Sequence, residues 1–166
     1  MNEVILKAEN LHYSYTKEHE VLKGVSLNIH RGERLAVLGA NGSGKSTFFL
    51  NINGVLRPES GAVYYRDKLI NKASIKELRK NVGIVFQDAD NQIIASTVRA
   101  EVSFGPMNLG LSKEEVTKRV LDSLNYMNIS HLIDRPPHYL SGGEKKRVSI
   151  ADIIAMDSEI IIFDEP

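Results

Sequence analysis

The sequence contains no cysteine, which excludes disulfide bonds and metal sites built on thiolates. It also has no excess charge, because 21 Lys and Arg residues balance 21 Asp and Glu residues. We therefore expect neither a nucleic-acid-binding surface nor a polybasic membrane anchor. No apolar run approaches the about 20 residues of a membrane span, and the opening residues do not resemble a signal peptide. Any contact with a membrane is expected to come through a partner.

The composition is that of one globular domain with a substantial core, since 42% of the 166 residues are hydrophobic and 25% are charged. Two segments near the start, residues 4–15 and 25–29, alternate partly between apolar and polar residues. They are separated by the polar residues 16–20. This pattern predicts two short strands of an antiparallel lobe.

Three later segments are unbroken apolar runs that end in polar residues: 35–38, 82–86 and 160–163. Unbroken runs are typical of strands covered on both faces inside a parallel sheet. Open α/β sheets bind ligands at the carboxyl ends of such strands. We therefore expect the polar residues that follow the three runs to converge on one site.

Helices are predicted after two serines that are followed three residues later by a glutamate, Ser74 with Glu77 and Ser112 with Glu115. Residues 90–140 are interpreted as a mostly helical insertion between sheet strands. After Ser112, one helical face is apolar and is predicted to be core. Its residues are Val116, Val120, Leu121, Leu124 and Met127.

A glycine-rich segment after the first run matches the pattern G-x-x-x-x-G-K-[ST] and precedes residues that can open a helix. Its backbone N–H groups and helix N-terminus can cradle phosphates. Lys45 can reach the β- and γ-phosphates, and the Ser46 hydroxyl can ligate Mg²⁺. The predicted nucleotide-binding residues are Gly39, Ala40, Asn41, Gly42, Ser43, Gly44, Lys45, Ser46 and Thr47.

Two carboxylates, Asp164 and Glu165, follow the last apolar run. In a phosphate-loop fold Asp164 can hold Mg²⁺, and Glu165 can polarise the water that attacks the γ-phosphate. An ordinary acidic turn is the alternative. Ser141, Gly142 and Gly143 precede another predicted helix and could form a second anion site, although they could equally be only a helix N-cap.

Together these motifs resemble the ABC ATPase family, with Walker A at 39–46, a Q-loop glutamine at Gln87, the signature LSGGE at 140–144, and Walker B ending in Glu165. The resemblance covers the chain, because Tyr15 sits where the family places an aromatic residue that stacks on adenine. It implies an α/β phosphate-loop fold of the ABC type over residues 1–166, with an antiparallel β lobe and a helical subdomain, incomplete at its end. ATP and Mg²⁺ are the implied ligands.

The resemblance also implies partners. Two such domains, identical or different, would dimerise head to tail, with Ser141, Gly142 and Gly143 closing on the other domain's γ-phosphate. Gln87 would ligate Mg²⁺, contact the attacking water and link nucleotide state to membrane-embedded transporter subunits. The protein would then lie at the cytoplasmic face of the membrane.

A narrower likeness, in residues 86–92, 104–111 and 150–156, is to the ATPases of energy-coupling-factor importers of cobalt, nickel or vitamins. Cobalt is the first expectation for the cargo, which would bind a membrane component. The alternatives are a nucleotide-binding fragment without hydrolysis and a soluble ABC ATPase acting on DNA or ribosomes. No long coiled-coil arm separates Lys45 from Ser141, which disfavours a DNA-repair protein.

Two features depart from the family pattern. Glu144 replaces the glutamine common in the signature, and the chain ends at Pro166, where the family continues with a D-loop, a further strand and a switch histidine. All five histidines precede Walker B, so none is that histidine. We therefore interpret the chain as a fragment or a truncated gene product, and expect it to bind ATP weakly and hydrolyse it poorly on its own.

Overall fold

A computed structural model describes residues 3–88 and 92–165. It divides into two compact units, Met1–Arg79 and Lys80–Pro166, which are described separately. Residues 89–91, within the 86–92 segment of the narrower likeness, lie outside the described residues, as does Pro166.

The first unit is built on an antiparallel sheet with strand order β2-β1-β3-β4. The α/β fold class and the antiparallel lobe are thus as predicted. A two-residue turn at Lys17 and Glu18 joins the two longest strands. The strands are β1 (Val4–Thr16), β2 (His19–His30), β3 (Ser60–Tyr65) and β4 (Lys68–Leu69).

The second strand begins earlier than the sequence pattern predicted. Residues 16–20 were expected to separate the strands, yet Thr16 pairs with His19 and Ser14 pairs with Glu20. Backbone pairing continues to the hairpin tip because polar side chains can point to solvent while their N–H and C=O groups pair. Polarity alone therefore placed the start of β2 too late.

The predicted central strand at residues 35–38 is wrong. Residues 33–40 are outside the helices and strands, and the Leu38 side chain is 91% exposed. The sheet of this unit does not include the run. A strand needs a neighbour to satisfy its N–H and C=O groups, and none of the described strand pairings involves these residues.

Two helices complete the first unit, α1 (Lys45–Asn53) and α2 (Ile75–Asn81). The helix α2 begins directly after Ser74, as predicted, whereas α1 begins two residues before Thr47, where the sequence had predicted its start. Ser74 precedes α2, and its hydroxyl accepts from the Asn71 N–H at 2.9 Å and donates to the Leu69 carbonyl at 3.1 Å. The serine therefore also fixes the loop that leads into the helix.

The second unit contains a parallel strand pair and three helices. The strands β5 (Val82–Val85) and β6 (Ile160–Phe163) run in register from Val82 with Ile160 to Val85 with Phe163. The helices are α3 (Val98–Asn108), α4 (Lys113–Tyr126) and α5 (Gly142–Ala155), with 3₁₀ turns at Ser130–Leu132 and Pro137–Tyr139.

The two strands are covered differently. All four residues of β5 are buried, as an unbroken apolar run predicts. In β6, however, Ile161 and Phe163 are 38% and 40% exposed, which corrects the expectation that this run is covered on both faces. Successive side chains point to opposite faces of a strand, so β6 is buried on only one face.

The helical part of the second unit has its own apolar core. Val116, Val120 and Leu124 are buried there, as the predicted stripe requires, whereas Leu121 is 46% exposed. The Ser112 hydroxyl caps α4 by accepting from the Glu115 N–H at 3.2 Å. No helix in the described part of the chain is long and apolar enough to cross a membrane. The core consists of Val98, Val102, Val116, Val120, Leu124, Ile129, Leu132, Leu140, Val148, Ala151 and Ala155.

Candidate functional site

The glycine-rich loop of the first unit curls directly into helix α1. Gly42 and Gly44 have φ values of 77° and 95°, which side chains other than glycine's seldom adopt. At Gly44, a Cβ atom would also lie 3.0 Å from Val21 Cγ1. Gly44 is the N-cap residue of α1, and no side chain caps that end. The start of α1 therefore carries no side-chain cap, and the N-terminus of a helix attracts anions.

The Lys45 ammonium lies over the same loop. It donates to the carbonyl oxygens of Gly39 and Ala40, at 3.0 and 3.1 Å. These contacts keep the positive charge beside the start of α1, where Ser46 and Thr47 form the first turn. A phosphate held there would meet both the ammonium and the helix N-terminus.

Tyr15 is connected to the phosphate loop by a hydrogen bond. Its hydroxyl lies 3.2 Å from Thr47 Oγ1 on helix α1. The Tyr13 ring packs edge-on against the Tyr15 ring, with centroids 5.1 Å apart and planes at 86°. Tyr15 nevertheless remains 58% exposed, so its ring has surface left for stacking on a base.

In the second unit, the ends of β5 and β6 bring two predicted residues together. The Gln87 side-chain N–H donates to Glu165 Oε2 at 2.7 Å. Asp164 is buried, and its N–H donates to the Val85 carbonyl at 3.0 Å. Glu165 has φ +49°, a left-handed conformation uncommon for a side-chain-bearing residue. The parallel ladder thus places an amide beside the candidate general base.

The signature segment forms a capping box at the start of α5. The Ser141 N–H and hydroxyl donate to Glu144 Oε2 at 2.7 and 2.8 Å, and the Glu144 N–H donates back to the hydroxyl at 3.4 Å. The hydrogen bond from the Ser141 N–H, followed by that from its hydroxyl, lowers the pKa of Glu144. The departure from glutamine is thus compatible with the helix start. Gly142 and Gly143 face open space.

Sequence reasoning missed two residues near Gln87. Gln92 Oε1 accepts from the Phe86 N–H at 3.1 Å, and the Lys146 ammonium donates to the Phe86 carbonyl at 2.9 Å. Lys146 shares a face of α5 with the buried Ser149 and Ile153, three and seven residues later. Residues at this spacing lie on one face of a helix. The sequence could therefore have predicted that Lys146 lies on the buried face of α5.

A carboxylate pair in the helical part, the buried Glu101 and the half-buried Asp152, was also missed. Glu101 accepts from the N–H groups of Ile94 and Ala95 at 3.0 and 2.7 Å. Asp152 Oδ1 is buried without a hydrogen-bond partner. Burial, together with the charge of Glu101, raises the pKa of Asp152 to about 7.

The described residues fit the predicted ligands. The first unit supplies the loop N–H groups and the Lys45 ammonium for phosphates, and Tyr15 for a base. Within the second unit, Gln87 and Asp164 carry oxygen atoms, the ligand atoms that Mg²⁺ prefers, and Ser46 carries one in the first unit. Among the described residues there is no cluster of three or more His, Asp or Glu side chains that could hold a metal ion.

The fold and these motifs define a domain of the phosphate-loop class, and comparison places it in a family. Residues 22–166 match the ABC transporter family. The chain belongs to that family. It is 49% identical to the energy-coupling factor transporter ATP-binding protein EcfA of Methanocaldococcus jannaschii, over 98% of this chain and 59% of the relative.

Two solved structures have the same fold. The structure of cbiO1 from Clostridium perfringens, described as part of the ABC transporter complex cbiONQ, matches 99% of this chain and 66% of that one with TM-score 0.86 and 47% identity. A bacterial Atm1-family ABC exporter with ATP bound matches 99% of this chain and 29% of its own, with TM-score 0.84 and 27% identity. The chain spans about 59% of the length of EcfA.

Proposed function

We propose that this chain is part of the ATP-binding subunit of an energy-coupling ABC importer, which hydrolyses ATP to drive uptake across a membrane. The observation that carries the hydrolytic part is the Gln87 amide bound to Glu165 at 2.7 Å, at the ends of neighbouring parallel strands. The nucleotide-binding part rests on the loop of Lys45 and the exposed Tyr15 ring.

In this proposal the loop N–H groups and Lys45 bind the phosphates, Tyr15 stacks on adenine, and Ser46, Gln87 and Asp164 hold Mg²⁺. The metal ion supplies charge neutralisation to the phosphate oxygens. Glu165 accepts the proton of the attacking water. The Gln87 N–H holds the Glu165 carboxylate in place, while its carbonyl oxygen remains a ligand for the metal.

The signature segment is proposed to act on a second ATPase domain, either identical or different. Gly142 and Gly143 are exposed with open space around them, so a partner's γ-phosphate can approach the backbone. The Ser141 hydroxyl is already fixed by Glu144. Membrane-embedded subunits would bind the helical part, which places the subunit at the cytoplasmic face of the membrane.

Cobalt ion is the proposed cargo, with nickel or a vitamin as alternatives. The likeness to cbiO1 and EcfA supports an importer of this type. The test is uptake by proteoliposomes that contain the subunit, its partner ATPase and the membrane subunits. ATP-dependent accumulation of cobalt supports the assignment, whereas accumulation of nickel or a vitamin alone reassigns the cargo.

Hydrolysis is tested with Glu165→Gln in the assembled ATPase. The amide has nearly the shape of the carboxylate but cannot accept the proton, so turnover should fall about 10²- to 10⁴-fold while ATP binding persists. Glu18→Gln, an exposed change in the turn between β1 and β2, is the matched control. Normal turnover in Glu165→Gln would assign the catalytic role elsewhere. Absence of turnover in the unmodified protein would favour the non-hydrolysing alternative.

A further inference from the structure

Lys146 connects the helix of the signature segment to the backbone at Gln87. Its ammonium donates to the Phe86 carbonyl at 2.9 Å and lies 3.4 Å from the Gln87 carbonyl. The first distance is that of an ordinary hydrogen bond and the second is long. The Phe86 carbonyl is therefore the main acceptor. Lys146 itself is half-buried, so the contact is partly shielded from water.

The packing of α5 on β5 explains this reach. A Cβ atom at Gly83 would lie 2.4 Å from Ile153 Cγ2, so only a glycine allows the strand and helix to approach this closely. Lys146 precedes Ile153 by seven residues and lies on the same side of the helix, two turns nearer its start. That position places its side chain at the carboxyl end of β5.

Other contacts hold the same stretch of backbone. Gln92 Oε1 accepts from the Phe86 N–H at 3.1 Å, and the Asp164 N–H donates to the Val85 carbonyl at 3.0 Å. These contacts come from the segment after Gln87 and from β6. Lys146 adds a contact from α5, the helix that begins after Ser141. Its ammonium donates to the carbonyl of Phe86, the residue that follows the last paired residue of β5.

We propose that Lys146 is a positioning residue, which holds the backbone of Phe86 and Gln87 so that the Gln87 amide stays on Glu165. The inference rests on the proposed hydrolysis of ATP and deepens it, because it assigns to α5 a role in arranging the attacking-water site of its own chain. Lys146 acts through Gln87 and contacts no reacting atom.

The test is a double-mutant cycle between Lys146→Met and Gln87→Ala in the assembled ATPase. Lys146→Met should lower kcat about 10-fold, because small displacements of positioning groups have effects of this order. The affinity for ATP should stay within about twofold, since Lys45 and Tyr15 are unchanged. Substitutions of residues that act together have non-additive effects. Lys146→Met should therefore lower kcat little further when Gln87 is already alanine.

Rescue and controls separate positioning from general stability. Lys146→Arg should restore most of kcat, because a guanidinium can also donate to two carbonyls. Lys72→Met removes an exposed lysine of the first unit and should leave kcat unchanged. If Lys146→Met does not fold, Lys146→Gln replaces it in the same cycle. The glutamine side chain is polar but shorter than that of lysine, so it removes the contact with the Phe86 carbonyl without introducing an apolar group.

Two results would overturn the inference while ATP hydrolysis itself stands. One is an unchanged kcat in Lys146→Met. The other is a double variant whose fold-loss in kcat equals the product of the two single fold-losses, as expected for residues that act independently. Absence of turnover in the unmodified ATPase would instead count against the proposed function, so the two failures are distinguishable.

Discussion

Residues 35–38 and 82–85 are both short, unbroken apolar runs, yet only the second forms a strand. Val82–Val85 is buried throughout and pairs with β6. Residues 35–38 lie outside the described sheets, and Leu38 is 91% exposed. Both runs are apolar, but Val82–Val85 has three β-branched residues against one in residues 35–38, and β-branched residues favour strands. Only Val82–Val85 has a hydrogen-bonding neighbour among the described strands.

The comparison separates features that form locally from those that need distant residues. The phosphate loop takes its curled shape beside an unpaired run, because Gly42, Gly44 and Lys45 act within one short segment. Gln87 and Glu165 are 78 residues apart, and only the parallel ladder brings them together. A change in the first region should therefore act on ligand binding, and a change in the second on folding and catalysis.

The largest expected effect is that of Lys45→Ala on ATP binding. The substitution removes the ammonium beside the start of α1, and charge-assisted hydrogen bonds are the strong ones. Losing the ammonium's hydrogen bonds to the β- and γ-phosphates should weaken ATP binding by at least about 100-fold. Calorimetry should then detect no binding. The loop is local, so the melting temperature should hardly change.

Lys72→Ala is the matched control, because it removes an exposed lysine of the same unit outside the loop. Affinity should stay as in the unmodified protein. ATP binding by Lys45→Ala at unmodified affinity would contradict the assignment of the loop as a phosphate site.

The next effect tests the two apolar runs directly. Ile84→Ala should lower the free energy of unfolding by about 2 to 5 kcal/mol, because Ile84 is 7% exposed and its loss leaves a cavity. Leu38→Ala should change stability by less than about 0.5 kcal/mol, as is usual for surface substitutions. Urea unfolding followed by circular dichroism measures both. A destabilisation by Leu38→Ala as large as that by Ile84→Ala would show that residues 35–38 are packed in solution.

Sequence reasoning found most of the elements and the local motifs. The helices α1 and α4 and the two apolar runs that pair as strands follow from short local patterns. Gln87 was expected near Glu165 only because the carboxyl ends of parallel strands converge. It failed where tertiary partners decide, as for the run at 35–38 and the exposed face of β6. It also missed Lys146, Gln92 and Asp152, because their surroundings are set by packing between elements distant in sequence.

The smallest predicted effect concerns pH and the carboxylate pair of the second unit. Burial first, and then the charge of Glu101, raises the pKa of Asp152 from its ordinary value of 3.8 to about 7. A carboxyl whose pKa is higher in the folded state stabilises the protein below the unfolded pKa, and this contribution is lost as pH rises toward 7. The loss between pH 5 and pH 8 spans about two pH units, and at about 1.4 kcal/mol per unit it should be about 2.6 kcal/mol.

Asp152→Asn should abolish that loss, because an amide of similar shape does not ionise. The quantity to compare is the difference in unfolding free energy between the variant and the unmodified protein, measured by urea unfolding at pH 5, 6, 7 and 8. Taking the difference removes the opposite contribution of carboxyls whose pKa is lowered, such as Glu115 beside Arg119 and Glu144 beside Ser141.

The difference should favour the variant increasingly as pH rises and level off above pH 7. A difference that is constant from pH 5 to 8 would mean that Asp152 is ionised in the folded protein despite its surroundings. The second unit would then contain enough water or flexibility near α3 and α5 to solvate two neighbouring carboxylates, and its core would be less tightly packed there than the burial of Asp152 Oδ1 indicates.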